Sequence, residues 1–98
     1  MAAIDYLADV GREKDQPGGR RDALVRAFES IRRYEHGLLE QLLDGIDRCP
    51  AIQSWGIHDR DRLHQRCPTV SITHDSLSSE RLAERLAEQG IFVWHGNY

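Results

Sequence analysis

Residues 68–98 read PTVSITHDSLSSERLAERLAEQGIFVWHGNY, and this one stretch sets the fold class. Pro68 to His74 alternates: Val70 and Ile72 point one way, and Thr69, Ser71 and Thr73 the other. That two-residue period predicts a half-buried strand. A helix is predicted from Ser79 to Gln89. Ser78 is placed to accept a bond from an orphan amide of its first turn. Leu77 and Leu82 occupy the two positions of a hydrophobic staple, and Glu80 puts negative charge where the helix dipole favours it. Leu82, Ala83, Leu86 and Ala87 make the apolar stripe, against Arg81, Glu84, Arg85 and Glu88 on the wet side. Gly90 can adopt the left-handed backbone that closes a helix.

A second strand is predicted from Ile91 to His95. Ile91 and Val93 face one side, Phe92 and Trp94 the other, so both faces need cover. The Leu82/Leu86 helix can cover one. The sequence therefore implies a second surface that these residues do not supply. The Gly-Asn-Tyr loop that follows reads as interrupted, a domain truncated at its C-terminus.

Upstream, Ile4, Leu7 and Ala8 in MAAIDYLADVGRE give a short helical stripe with Val10 at its edge. This reads as the end of a helix belonging to a larger domain. Lys14 to Gly19, KDQPGG, is a breaker and is expected to be a mobile loop or hinge. Residues 1–20 thus form a helix end with a linker, and residues 21–98 a small C-terminal domain. Arg21 to Arg48 predicts one long helix, about 40 Å at 1.5 Å per residue. Its expected core face is Leu24, Phe28, Ile31, Leu38, Leu42 and Ile46, widened by Val25, Leu39 and Leu43. Gly37 inside it marks a bend or a close contact, at a cost of about 1 kcal/mol relative to alanine. Cys49-Pro50 stops the helix, Gln53 to Ile57 (QSWGI) is a short strand candidate, and His58 to Arg66 (HDRDRLHQR) a polar connection. Together these elements predict an α+β domain: a long helix, then a small sheet of short strands with a helix packed on one face.

The 98 residues suffice for one small domain. Thirteen Lys and Arg against 16 Asp and Glu give a charge of -3, without the clustered positive excess of a nucleic-acid binder. No apolar run approaches the roughly 18 residues of a membrane span. Asp5 and Asp9 interrupt the N-terminal apolar stretch, so no signal peptide is expected and the cytoplasm is the default compartment. Cys49 and Cys67 are each followed by proline and fit no zinc or redox spacing.

Other chemistry is thin. His58, Asp59, Asp61 and His64 have metal-ligand chemistry but the spacing of a charged surface loop. Arg20-Arg21 and Arg32-Arg33 are flanked by Asp22, Glu29 and Glu35, as on a solvated face. Ser71, Ser76, Ser78 and Ser79 lie in no Gly-x-Ser-x-Gly elbow, and no glycine-rich phosphate loop is present. His95 to Tyr98 directly follows the predicted buried strand, a place where loops often carry sites, though on its chemistry alone it reads as a turn.

SLSSERLAERLAEQGIFVWHGNY resembles the small C-terminal domain of fold-type-I pyridoxal phosphate (PLP) enzymes of the class V aminotransferase and cysteine desulfurase-like group. RRDALVRAFESIRRYEHGLLEQLLDGI resembles that family's long interdomain helix, and AAIDYLADVGRE the end of the preceding large-domain helix. The resemblance covers essentially the whole chain, and Gly90 to Tyr98 is its most specific part. It implies a PLP-binding large domain, a homodimer partner and an amino-acid substrate in a parent enzyme. It also implies a substrate loop that includes His95, Gly96, Asn97 and Tyr98. Where desulfurases have a pattern like R-x-G-H-H-C, Trp94 replaces the arginine, Gly96 matches, and Asn97 and Tyr98 replace the histidines. The cofactor lysine belongs to the large domain. Lys14, the only lysine, matches no part of that motif, so no PLP is expected on this chain alone, and no catalysis. The other reading is a self-contained α+β module that binds a partner protein through its long helix and the Phe92/Trp94 surface.

Overall fold

The computed structural model describes residues 2–12 and 18–96. The fold is α+β. Helix α1 spans Ala2–Val10 and α2 Arg20–Asp47; strand β1 spans Ile52–Trp55; a 3-10 helix covers Arg60–Gln65; strand β2 spans Ser71–His74 and helix α3 Ser79–Glu88. The chain divides into two compact units, Met1–Leu39 and Glu40–Tyr98, and the boundary falls inside α2.

In the first unit small residues set the packing. Ala8, Gly11, Ala23 and Ala27 are buried. A Cβ built on Gly11 would overlap the Ala23 carbonyl and stand 2.7 Å from Ala27 N. Only glycine allows that approach of one backbone to another. Arg26 Nε donates to the Gly11 carbonyl at 2.9 Å, and Arg20 pairs with Asp5 at 2.6 Å.

In the second unit Leu43 and Ile46 of α2 are buried, as is Leu63 of the 3-10 helix; Leu39, at the boundary, is buried too. β1 and β2 pair antiparallel, Ile52 with His74 and Ser54 with Ile72. Asp75 N donates to the Ala51 carbonyl at 2.9 Å and extends the ladder. Ile52, Ser54, Ile72 and His74 are half-buried, while Gln53, Trp55, Ser71 and Thr73 are exposed, the alternation of a sheet covered on one side. On the exposed side Trp55 Nε1 donates to Thr73 Oγ1 at 2.9 Å. The loop between the 3-10 helix and β2 is gathered by Arg66, which donates to the carbonyls of Ile57 at 2.6 Å and Thr69 at 2.7 Å.

α3 contacts β2 and is capped as its sequence dictates. Ser78 Oγ accepts from Arg81 N at 3.2 Å. At the other end Gly90 has φ +78°, Gly90 N donates to Ala87 O at 2.9 Å and Ile91 N to Leu86 O at 2.9 Å. Those two bonds make a complete Schellman motif.

Several expectations are corrected. Ile91 to His95 is not a strand: the two-stranded sheet excludes it. Its alternation is right for a strand, but a strand exists only as part of a ladder. Phe92 and Trp94 are 84% and 82% exposed. The core face expected for α2 is also revised. Phe28 is 57% exposed, and Val25, Leu38 and Leu42 are exposed as well. Leu39 and Leu43, taken as its margin, are buried, and Ala23 and Ala27 carry the first unit. α3 has no fully buried residue; Leu82, Ala83 and Leu86 are half-buried. Gly37 is not a close contact, since a Cβ there meets nothing within 4 Å. The polar connection holds a helical stretch, Arg60–Gln65, begun by Asp59, whose side chain accepts from Asp61 N at 3.0 Å.

Candidate functional site

The densest array of polar side chains begins with a sequence oddity. The last turn of α2 carries acidic residues and no basic one. Negative charge at a helix C-terminus opposes the macrodipole and needs compensation from outside the helix. Arg60 supplies it: Nη2 lies 2.7 Å from Asp44 Oδ1 and 2.9 Å from Asp47 Oδ2. Arg60 Nη1 also donates to the His58 carbonyl at 2.9 Å, which fixes the loop that carries the imidazole.

His58 is the second counter-group. Its Nε2 is 2.8 Å from Asp47 Oδ1 and its Nδ1 is 2.7 Å from Ser54 Oγ. A carboxylate only accepts, so Nε2 carries the proton toward Asp47 and a neutral imidazole accepts the Ser54 hydroxyl proton at Nδ1. The order Ser54–His58–Asp47–Arg60–Asp44 is a continuous chain of polar contacts. β1 places Ser54 on its half-buried side with Ile52; the end of α2 places Asp47; the β1-to-3-10 loop places His58. Ile46, Ile52 and Gln53 join Asp47, Ser54 and His58 around an open cavity of about 270 Å³.

The hydrogen bond from His58 is the largest cause holding the Asp47 carboxyl below the usual range, with the charges of His58 and Arg60 acting the same way and burial opposing. Arg60 is raised in turn, first by its bond to Asp44. The His58 and Asp47 side chains are 41% and 50% exposed, so solvent screens the array and it contributes orientation more than stability.

The residues singled out by sequence are dispersed. His58 serves this array, while Asp59 caps the 3-10 helix; the four residues weighed as a metal site do not converge, and among the described residues no group of three or more His, Cys, Asp or Glu does. Cys49 and Cys67 are exposed free thiols. His95 and Gly96 are exposed, with Gly96 at φ +117°, whereas Asn97, Tyr98 and Lys14 lie outside the described residues. The sequence reading missed Ser54, Asp47 and Arg60. The available signal was the uncompensated acidic end of α2.

Among the described residues no helix is long and apolar enough to cross a membrane. No family model matches the chain. It is 26% identical over 93 residues to an uncharacterized protein of Mycobacterium tuberculosis, an alignment that covers 95% of this chain and 22% of that protein.

Proposed function

We propose that this chain is the small domain of a PLP-dependent enzyme of the class V aminotransferase and cysteine desulfurase-like group. In the parent it helps to close the active site over an amino-acid substrate, and alone it is inactive in that chemistry. The observation that carries this reading is the exposed segment Ile91–Trp94, apolar on both sides and presented directly by the Schellman cap of α3. A segment of that composition is made to be covered. That this chain aligns with only 22% of a longer protein supports the same view.

The residues present do not fit the cofactor itself. The chain's one lysine is Lys14, outside the described residues and outside any recognisable Schiff-base motif. PLP, when bound, supplies the electron sink for amino-acid chemistry and belongs to the large domain. This chain's part is to carry the small sheet and α3 with the segment that follows it, and the Asp47–His58–Ser54 array ties the end of α2 to the sheet.

The exposed Phe28, Leu38 and Leu42 on α2 favour a second reading, a self-contained interaction module without catalytic activity. The test is to read the gene on either side, express the whole frame and titrate PLP into both polypeptides. A stoichiometric Schiff-base absorption band is expected with the long polypeptide and not with the isolated chain. A saturable band in the isolated chain that Lys14→Ala removes would overturn the proposal. A frame encoding only these residues would replace it with the module.

A further inference from the structure

We propose that Ser54 is an activated nucleophile, with His58 as its general base and Asp47 as the residue that positions the base, able to take the acyl group of a small uncharged ester. This activity is separate from the amino-acid chemistry proposed above and does not rest on it.

Three parts of a nucleophilic site are in place. The nucleophile–base distance is 2.7 Å and the base–carboxylate distance 2.8 Å, both within hydrogen-bond reach. The ring nitrogens are used in the reverse order from the familiar serine triads: serine meets Nδ1 and the acid meets Nε2. The imidazole performs the same proton transfer either way round. Arg60 binds the Asp47 carboxylate and pins the His58 backbone, so the base is oriented from two sides.

The strand ladder contributes further. The bond from Asp75 N to the Ala51 carbonyl fixes its alternation, so Gln53 and Trp55 are the β1 residues that exchange bonds with β2. Ser54 N–H therefore points to the outer edge of β1, outside the ladder, where it can face an oxyanion formed at its own side chain. Ile46 and Ile52 give the open cavity an apolar side against which a short acyl chain can lie.

The reaction balances without another reagent than water. Ser54 Oγ attacks the ester carbonyl carbon as its proton passes to His58 Nδ1. The C–O bond to the alcohol breaks, and the departing alkoxide takes that proton from Nδ1. Water, deprotonated by His58, then cleaves the acyl-serine to a carboxylic acid and restores the Ser54 hydroxyl. An alkyl fluorophosphonate stops after the first half: the Ser54 O–P bond forms, the P–F bond breaks, fluoride leaves and the proton passes through His58 to water.

The experiment uses that probe on the whole chain, with the adduct read by intact mass and peptide mapping and folding checked by circular dichroism. One adduct at Ser54 is expected, lost in Ser54→Ala and retained in Ser30→Ala. His58→Gln should slow labelling about 100-fold, at the low end for a general base because the site is open to water. Asp47→Asn should slow it less and move the midpoint of the labelling rate against pH, which a purely structural carboxylate would not do. An adduct at another residue, an equal rate in folded His58→Gln, or no adduct on folded wild type would each overturn the assignment.

Discussion

Gly11→Ala and Gly37→Ala make a paired test of the first unit, because the same change should have opposite signs at the two sites. At Gly11 the new methyl would overlap the Ala23 carbonyl and lie 2.7 Å from Ala27 N. Both obstacles are backbone, so no rotamer change relieves them. The segments must separate, which opens the packing of Ala8, Ala23 and Ala27 and weakens the bond from Arg26 to the Gly11 carbonyl. Overpacking of this kind costs about 1–3 kcal/mol, and an immovable obstacle puts Gly11 toward the upper end. Gly37 lies within α2 with nothing within 4 Å of an added Cβ. There alanine only improves helix propensity, by about 1 kcal/mol. Urea melts of the three proteins would show the two variants' unfolding free energies separated by about 3–4 kcal/mol. A Gly11→Ala variant as stable as wild type would refute the close approach between Gly11 and the start of α2.

Three further outcomes are expected. Leu43→Ala should destabilise by about 2–5 kcal/mol in urea melts, as a fully buried leucine does, whereas the half-buried Leu86→Ala should cost clearly less and the exposed Arg85→Ala almost nothing; equal effects of Leu43 and Leu86 would contradict the core described. The folded Asp47 lies below its ordinary 3.8, so its contribution is present above that value and is lost as pH falls through the folded value. Stability measured at pH 6 and then near pH 3 should therefore drop more in wild type than in Asp47→Asn, and equal drops would rule out the His58 bond as its cause. Finally, the isolated chain should self-associate through Phe92 and Trp94; sedimentation and tryptophan quenching beside a Phe92→Ser/Trp94→Ser variant check this, and a monomer with Trp94 shielded would count against an open patch.

What the sequence made legible was local. Ser78, Glu80 and Gly90 define α3 because a cap is decided by residues within one turn of it, and the structure shows the Ser78–Arg81 bond and both Schellman bonds. β2 was legible from its alternation, though it begins at Ser71 rather than Pro68. Ile91 to Trp94 has the same alternation and forms no strand, because pairing depends on what lies beside it. The burial on α2 was misjudged for a related reason. Hydrophobicity singles out Phe28 and Leu38, whereas Gly11 is accommodated by Ala23 and Ala27, whose small size permits close approach. The Asp47–His58–Ser54 array joins a helix end, a loop and a strand. Its intervals match no local motif, so only the folded chain brings it together.

The division at Leu39 and Glu40 has a thermodynamic consequence because it falls within one continuous helix. The part of α2 that serves the second unit, Glu40–Asp47, is about two turns long, and isolated helices shorter than roughly 12–15 residues are marginal in water. It needs the preceding turns to keep its hydrogen bonds in register, and Leu43 and Ile46 are buried only while it is helical. The last two turns therefore draw on the preceding turns of the same helix for their continuity. A cut between Leu39 and Glu40 would leave Asp47 at the end of a two-turn helix that frays on its own, and would loosen its hold on His58.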